Sequence, residues 1–136
     1  MKDKQNIFKK AIKLYNENPK GKKLLDIGCG MGEFLKISSD YGMDPLGIDL
    51  NRTTTDYITS NYGYKTLNKL ITQETFEENS FDFIVLSHVI EHVQDPNKLI
   101  KIIYKILKPG GIFIMATPNA DSFISCIYNF GKKLKH

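Results

Sequence analysis

The chain of 136 residues is poor in cysteine and has no long apolar run. Its two cysteines, Cys29 and Cys126, make neither a disulfide framework nor a zinc-ligand pattern, so we expect a reducing, cytoplasmic setting. No apolar run approaches the roughly 18 residues that a membrane-spanning helix needs. Residues 1–10 are polar and charged and contain no apolar stretch typical of a signal peptide. We therefore predict a cytoplasmic protein without a membrane partner.

The sequence also lacks a dense cluster of charge. Its formal net charge is +4, and its one concentration of basic residues is the end of the chain, at residues 132–136. Such an end is more typical of a solvated tail than of a nucleic-acid patch, so no nucleic-acid partner is predicted. A content of 41% hydrophobic and 25% charged residues is ordinary for a globular protein. The length predicts a single domain over residues 1–136.

The most informative stretch that is present is LLDIGCGMGEFL, at residues 24–35. It begins with an apolar run typical of a strand buried on both faces. Gly28, Gly30 and Gly32 follow, and glycine allows unusual backbone angles and lets a ligand lie against the main chain. A helix beginning at Glu33 would direct its free N–H groups into this turn. The pattern predicts a binding loop between a strand and a helix.

The spacing of the glycines separates two ligand classes. Counted from Gly28, the third small residue of the dinucleotide fingerprint G-x-G-x-x-G/A would stand at Glu33. A glutamate there would bring bulk and negative charge near a pyrophosphate. The spacing found here, with Asp26 two residues before the first glycine, favours a ligand with an ammonium group and no pyrophosphate. A nicotinamide-dependent oxidoreductase and a structural glycine turn in another α/β domain remain alternatives.

The stretch LLDIGCGMGEF resembles motif I of the class I (Rossmann-like) S-adenosylmethionine-dependent methyltransferases. Three later segments extend the resemblance to roughly residues 20–120. A strand at 81–87 followed by HVIEHVQDP at 88–96 is similar to the fourth-strand region of small-molecule methyltransferases, including quinone-pathway O-methyltransferases. An LKPGG turn at 107–111 precedes an apolar fifth strand, as in that family.

The resemblance implies an α/β fold, a Rossmann-like three-layer α/β/α sandwich with a mostly parallel sheet of order 3-2-1-4-5. A helix at 3–17 is read as a packing helix, and residues 122–130 predict a short terminal helix. The family's sheet has seven strands, so its last two strands are expected to be missing. Strand five, at 112–116, would then be an exposed apolar edge. This predicts a fragment of a longer enzyme or self-association along the strand-five edge.

The resemblance implies that the chain binds S-adenosylmethionine, leaves S-adenosylhomocysteine as product and methylates a small-molecule acceptor. An acid at the end of the second strand can accept hydrogen bonds from ribose hydroxyls, and Asp49 stands there. The resemblance implies that Asp26 contacts the ammonium group and that the main chain of Gly28, Cys29 and Gly30 contacts the methionyl part. It implies that Asp49 contacts the ribose and Leu50 the adenine. Ser87 and His88 would lie near the methionine arm and the transferring methyl.

His88 is the one candidate general base, since an imidazole titrates near neutral pH and could take a proton from a hydroxyl acceptor. The alternative is a histidine that only closes the pocket. If a helix started this early, the i, i+3, i+4 spacing would place His88, Glu91 and His92 on one face, and the segment resembles a metal-binding segment of some methyltransferases. Histidine replaces the first glutamate of that segment and no fourth ligand is visible, so no metal is predicted.

The segment after the third strand, at residues 68–71, departs from the family pattern. Many relatives have an acid there that binds the adenine amine, whereas this chain has Asn68, whose role stays open. The predicted function is a small-molecule methyltransferase. The alternative is a cofactor-binding remnant or regulatory subunit without turnover. A nucleic-acid methyltransferase is disfavoured because no basic groove with interleaved aromatics is present.

Overall fold

The structure is a computed structural model that describes residues 2–87, 94–118 and 123–129. Helices and strands alternate along most of the chain. None of the described helices is long and apolar enough to cross a membrane. The elements are α1 (Lys2–Tyr15), β1 (Lys23–Ile27), α2 (Glu33–Asp40), β2 (Asp44–Ile48), α3 (Arg52–Tyr62), β3 (Lys65–Leu67), β4 (Phe81–Ser87), α4 (Pro96–Ile106), β5 (Leu107–Pro118) and β6 (Phe123–Asn129).

The described strands form one sheet of order β3-β2-β1-β4-β5-β6. The pairs among β1 to β5 are parallel, and β6 runs antiparallel to β5. The predicted order 3-2-1-4-5 is therefore confirmed. β4 is buried at every position, as its unbroken apolar run predicts for a central strand of a parallel sheet.

The far edge of the sheet differs from the prediction. The helix predicted at 122–130 is wrong, because Phe123–Asn129 forms β6 and pairs with β5 over its whole length. This segment contains aromatic and β-branched residues, and short apolar runs do not distinguish helix from strand by pattern alone. β5 is thus not an exposed edge, so the prediction of self-association along it loses its basis.

The start of β5 also differs from the sequence expectation. The LKPGG segment was expected to be a turn before a strand at 112–116, but β5 begins at Leu107. Gly110 has a φ of 80°, and the pairing with β4 shifts register between Phe81 and Phe83. The glycines produce an irregular strand start that realigns the two strands.

Two apolar layers cover the sheet, one on each face. Side chains alternate along a strand, so Leu24 packs with α1 and α2, whereas Leu25 packs with α4. Phe8 and Phe34 fill the first layer, and Ile103 fills the second. Because β1 to β5 are parallel, their carboxyl ends lie together at one end of the sheet, where the segments that follow β1 and β2 meet.

The start of α4 is built as its sequence predicts. The Asp95 side chain accepts a hydrogen bond from the Lys98 backbone N–H at 3.1 Å, and Pro96 occupies the first helical position. An aspartate cap and an early proline are favourable because the first turn leaves backbone N–H groups without helical partners. The cap fixes the beginning of α4 beside the carboxyl ends of the strands.

Candidate functional site

A cavity of about 860 Å³ opens at the carboxyl ends of the parallel strands. The ends of β1, β2 and β4, the loop after β3 and the beginning of α4 contribute its walls. Open α/β sheets bind their ligands at this edge. The sequence-predicted residues that line it are Gly28, Gly30, Asp49, Leu50 and Ser87.

The glycine loop follows β1 with backbone angles that favour glycine. Gly28 has a φ of 74° and Gly30 a φ of 53°. The Gly28 N–H donates to the Ile48 carbonyl at 2.8 Å, which joins the loop to the end of β2. A Cβ added at Gly30 would meet no atom within 4 Å. The loop thus leaves open space beside its main chain, as a ligand lying against the backbone requires.

Asp49, just after β2, is oriented by two backbone donors. Its Oδ1 accepts from the Asn51 N–H at 2.9 Å, and its Oδ2 accepts from the Gly30 N–H at 3.3 Å. Two carboxylate oxygens offer about four lone-pair sites, so further donors can be accepted. Leu50, beside it, is 67% exposed and lines the same cavity. This pair presents one polar and one apolar group to a ligand.

Asn68 supports the Asp49 segment from the end of β3. Its Nδ2 donates to the carbonyls of Asp49 at 3.1 Å and Leu50 at 2.9 Å. Residues 69–72 line the cavity, but Asn68 is not among the described lining residues. The structure therefore gives Asn68 a supporting contact with the β2–α3 connection. Sequence analysis left this role open, because nothing local identifies the two carbonyls as its partners.

Asp26 is a buried acid to which the described residues offer no hydrogen-bond donor. It is 1% exposed, and neither carboxylate oxygen has a hydrogen bond within the described part of the chain. Burial is the main reason that its pKa rises to about 8, with Lys4 opposing and Asp49 adding to the rise. The Asp26 side chain lies on the face of the sheet that α1 and α2 cover. It is separate from the residues that line the cavity. An unpaired buried carboxyl is costly, so the position is suited to a cationic ligand group.

Lys4 of α1 contacts the beginning of α2. Its Nζ is 3.2 Å from Glu33 Oε1, and it stands 5.5 Å from the centroid of the Phe34 ring. The side chain is only 17% exposed. Sequence analysis read the helix at 3–17 as a packing helix and did not identify Lys4. No local motif distinguishes Lys4 from the other lysines of that helix.

Cys29 points away from the cavity into the core. Its side chain is 5% exposed, and a Cβ added at Gly47 would come within 2.9 Å of its Sγ and 3.0 Å of Leu35 Cδ1. Burial raises the pKa of the thiol to about 12, which keeps it uncharged. Cys29 can therefore contribute its main chain alone. Sequence analysis missed Gly47, although a glycine inside a strand often marks such a close approach.

Ser87 ends β4 against the cavity, and its Oγ is buried without a hydrogen-bond partner among the described residues. His88, Glu91 and His92 lie outside the described residues, so the base and metal hypotheses attached to them are not addressed. Elsewhere in the described chain, no group of three or more histidine, cysteine, aspartate or glutamate residues could hold a metal ion.

A glycine loop, an acid after β2 and a cavity at a parallel-sheet edge define a nucleoside-cofactor-binding α/β protein. The chain belongs to the methyltransferase domain family, whose profile matches residues 2–135. This membership confirms the resemblance that motif I and the fourth-strand region indicate.

The names of similar proteins are consistent with membership of this family. Phosphoethanolamine N-methyltransferase 2 of Caenorhabditis elegans is 34% identical over 111 residues, which are 75% of this chain and 25% of that protein. The ubiquinone biosynthesis O-methyltransferase of Coxiella burnetii is 31% identical over 107 residues, which are 75% of this chain and 46% of that protein. The chain thus spans less than half the length of these relatives.

The structural comparison gives the same class. The structure of Haemonchus contortus phosphoethanolamine N-methyltransferase 2, in complex with phosphomonomethylethanolamine and S-adenosylhomocysteine, is 27% identical. It aligns with a TM-score of 0.64 over 82% of this chain and 28% of that one. The predicted cofactor, S-adenosylmethionine, is confirmed at the level of the family.

Proposed function

We propose that the chain binds S-adenosylmethionine as part of a methyltransferase that acts on a small molecule. The observation that carries the proposal is the buried carboxyl of Asp26, which has no hydrogen-bond partner among the described residues, beside a glycine loop and a second acid, Asp49. The named relatives act on different acceptors, so they support the small-molecule class rather than one substrate. They are enzymes by name, which disfavours the alternative of a binding module without turnover.

The residues present fit the parts of this cofactor. Asp26 would accept the ammonium group, and a bound cation would favour its ionised form. Asp49, already oriented by two backbone N–H groups, would accept the ribose hydroxyls with its remaining lone pairs. Leu50 would cover a face of the adenine. The main chain at Gly28 and Gly30 would lie against the methionyl part.

The cofactor supplies an electrophilic methyl group on a sulfonium when it is bound. The chain contributes orientation, because a fixed approach of the reacting groups accounts for much of the acceleration in such transfers. Ser87 would place a hydroxyl group at the end of β4. For His88, the expectation remains a general base for a hydroxyl acceptor, with pocket closure as the alternative.

Calorimetric titration with S-adenosylhomocysteine, and with NAD as a control ligand, tests the binding half of the proposal. We expect micromolar binding of the first ligand and none of the second. Asp49→Ala should weaken binding at least about tenfold, since hydrogen bonds to a charged group are lost. Asp56→Ala, an exposed aspartate of α3, is the matched control and should bind as the wild type does.

Two results would contradict the binding proposal. Binding of NAD but not S-adenosylhomocysteine would assign the glycine loop to the dinucleotide class. An unchanged affinity in the folded Asp49→Ala protein would remove the ribose role. Turnover is tested separately with radiolabelled S-adenosylmethionine and candidate amine, phosphoamine and phenol acceptors. If the His88→Ala variant kept full turnover, His88 would not be the general base.

A further inference from the structure

The first helix, α1, has two unlike sides. One side packs in the apolar layer through its buried residues, which are Ile7, Phe8, Ala11 and Tyr15. The other side is exposed and carries a set of lysines, which are Lys2, Lys9, Lys10 and Lys13. Helix positions that are seven or four residues apart share a side, so Lys2, Lys9 and Lys13 form one row with Lys10 next to it. These four residues form the α1 lysine face.

No acid of the described residues forms an ion pair with the α1 lysine face. The ion pairs in the described part of the chain involve other basic residues, which are Lys4, Lys36, Arg52 and Lys108. Residues 1–23 contain eight of the 19 lysine and arginine residues and only two of the 15 acidic residues. The rest of the chain therefore has more acidic than basic residues. An excess of positive charge that is diluted in the whole sequence is thus gathered by α1 on one surface.

Exposed apolar side chains also occur on and beside α1. Leu14 follows Lys10 by four positions, which places the two side chains next to each other, and Leu14 is 45% exposed. Tyr41, at the end of α2, is 36% exposed, and its ring centroid lies 5.4 Å from that of Phe8. A single exposed apolar group needs no explanation, but a leucine and a tyrosine near a row of lysines suit the headgroup region of a bilayer, which accepts apolar and charged groups together.

The kind of basic residue favours a lipid surface over a nucleic acid. Every member of the face is a lysine, and the chain has a single arginine, Arg52 of α3. Lysine is a compact point charge that needs no fixed geometry, whereas the planar fork of arginine is typical of nucleic-acid recognition. The aromatic residues of α1 are Phe8 and Tyr15, and both are buried, so neither can stack on a base. A smooth anionic surface therefore fits the face better than a nucleotide strand.

We propose that the α1 lysine face binds peripherally to an anionic lipid bilayer. A cluster of about four or more lysines on an amphipathic helix is typical of such binding, and each lysine near the surface increases partitioning about fivefold. The apolar side of α1 stays in the core, so the contact is electrostatic and needs no helix that spans the membrane. Sequence analysis predicted no membrane partner from spanning and signal segments, and a peripheral contact requires neither. The inference goes beyond the proposed function and does not depend on it.

The test is co-sedimentation of the 136-residue chain with lipid vesicles, without any cofactor. We expect binding to mixed phosphatidylcholine and phosphatidylserine vesicles, none to phosphatidylcholine alone, and release by added salt, because salt screens exposed charges. The variant Lys9→Gln/Lys13→Gln should lower partitioning about thirtyfold, as for two lysines. The matched control Lys65→Gln/Lys101→Gln removes the same charge from exposed positions on β3 and α4 and should stay within about twofold of wild type.

Two further variants separate this face from other sources of positive charge. Lys9→Arg/Lys13→Arg keeps the charge and should bind as the wild type does. Lys132→Gln/Lys133→Gln/Lys135→Gln removes the basic end of the sequence and should also bind as the wild type does. Thermal unfolding shows whether each variant folds, and the pair Lys9→Ala/Lys13→Ala replaces the glutamine pair if that pair does not.

Four results would overturn the proposal. Equal losses in the two glutamine pairs would mean that net charge alone attracts the chain to the vesicles, and a loss confined to the variant of the basic end would assign the contact to that end. No binding to phosphatidylserine vesicles would exclude the contact. Stronger binding to a DNA duplex than to the vesicles would assign the face to a nucleic acid. Because the assay contains no S-adenosylmethionine, its outcome and the outcome of the cofactor titration are independent.

Discussion

Two buried aspartates lie at opposite ends of the central strands, and the chain treats them differently. Asp82, at the beginning of β4, is 5% exposed and accepts from the Lys23 N–H at 2.9 Å, Lys108 Nζ at 3.2 Å and the Tyr15 hydroxyl at 3.4 Å. Asp26, near the carboxyl end of β1, is 1% exposed and has no donor among the described residues.

The difference separates an acid that is paired within the fold from an acid that we propose receives a ligand. Asp82 joins α1, β1 and β5 to β4 through three donors, and burial raises the pKa of Tyr15 to about 12, which keeps its hydroxyl protonated as a donor. Buried carboxylates in folded proteins are normally paired in this way. Asp26 departs from that rule at the edge where ligands bind, so its missing donor is what we expect a bound ammonium group to supply.

The largest expected effect comes from Asp26→Asn. The wild-type carboxyl has a pKa of about 8 in the folded protein, against 3.8 for an ordinary aspartate, so the folded state holds an extra proton between these values. Wild-type stability should therefore fall as pH rises from about 4 to about 8, whereas the asparagine variant lacks this dependence. The stability advantage of Asp26→Asn should reach several kcal/mol, on the order of the pKa shift converted to free energy.

Urea unfolding at a series of pH values measures this advantage, and titration with S-adenosylhomocysteine provides the second readout. Asp26→Asn should bind the ligand at least about tenfold more weakly, although it is the more stable protein. A variant that lost stability at pH 8 would mean that Asp26 is paired and ionised like Asp82. The proposed difference between the two acids would then be wrong.

The next effect is expected at the other end of the sheet. Asp82→Ala leaves the Lys23 N–H, the Tyr15 hydroxyl and Lys108 without their acceptor and should destabilise the fold by about 2–3 kcal/mol. Its affinity for S-adenosylhomocysteine should stay within about twofold of wild type at a temperature where it is folded. Asp56→Ala serves as the surface control. A stability-neutral Asp82→Ala would show that the three contacts contribute little.

The smallest effect is expected at Asn68, which supports the ligand edge without lining it. Asn68→Ala removes both donor contacts to the Asp49 and Leu50 carbonyls and should cost about 1 kcal/mol of stability, since net hydrogen bonds at exposed positions are modest. Affinity for S-adenosylhomocysteine should fall a few-fold, but affinity for its 2′,3′-dideoxy analogue should fall less. Equal losses for both ligands would mean that Asn68 does not act through Asp49.

Local patterns explain why much of the site was predictable. The strand-to-glycine-loop segment and the capped start of α4 depend on neighbours in sequence, and so do the positions of Asp26 and Asp49 at strand ends. The far edge was not predictable, because β6 is short and apolar and its choice of strand over helix depends on pairing with β5. The role of Asn68 stayed open and Gly47 was missed, because the groups that they contact lie in other segments of the chain.

The amino-acid pattern by itself predicted the first five strands, the glycine loop and the acids at the ends of β1 and β2, and the family resemblance added the order of these strands in the sheet. Periodicity, turn residues and spacing involve only a few neighbouring residues, so these features can be recognised from the sequence. Only the packed structure decided which aspartate is paired among the described residues and which lysine of α1 pairs with Glu33. Those outcomes depend on contacts such as Tyr15 with Asp82 and Lys4 with Glu33, which join segments far apart in sequence.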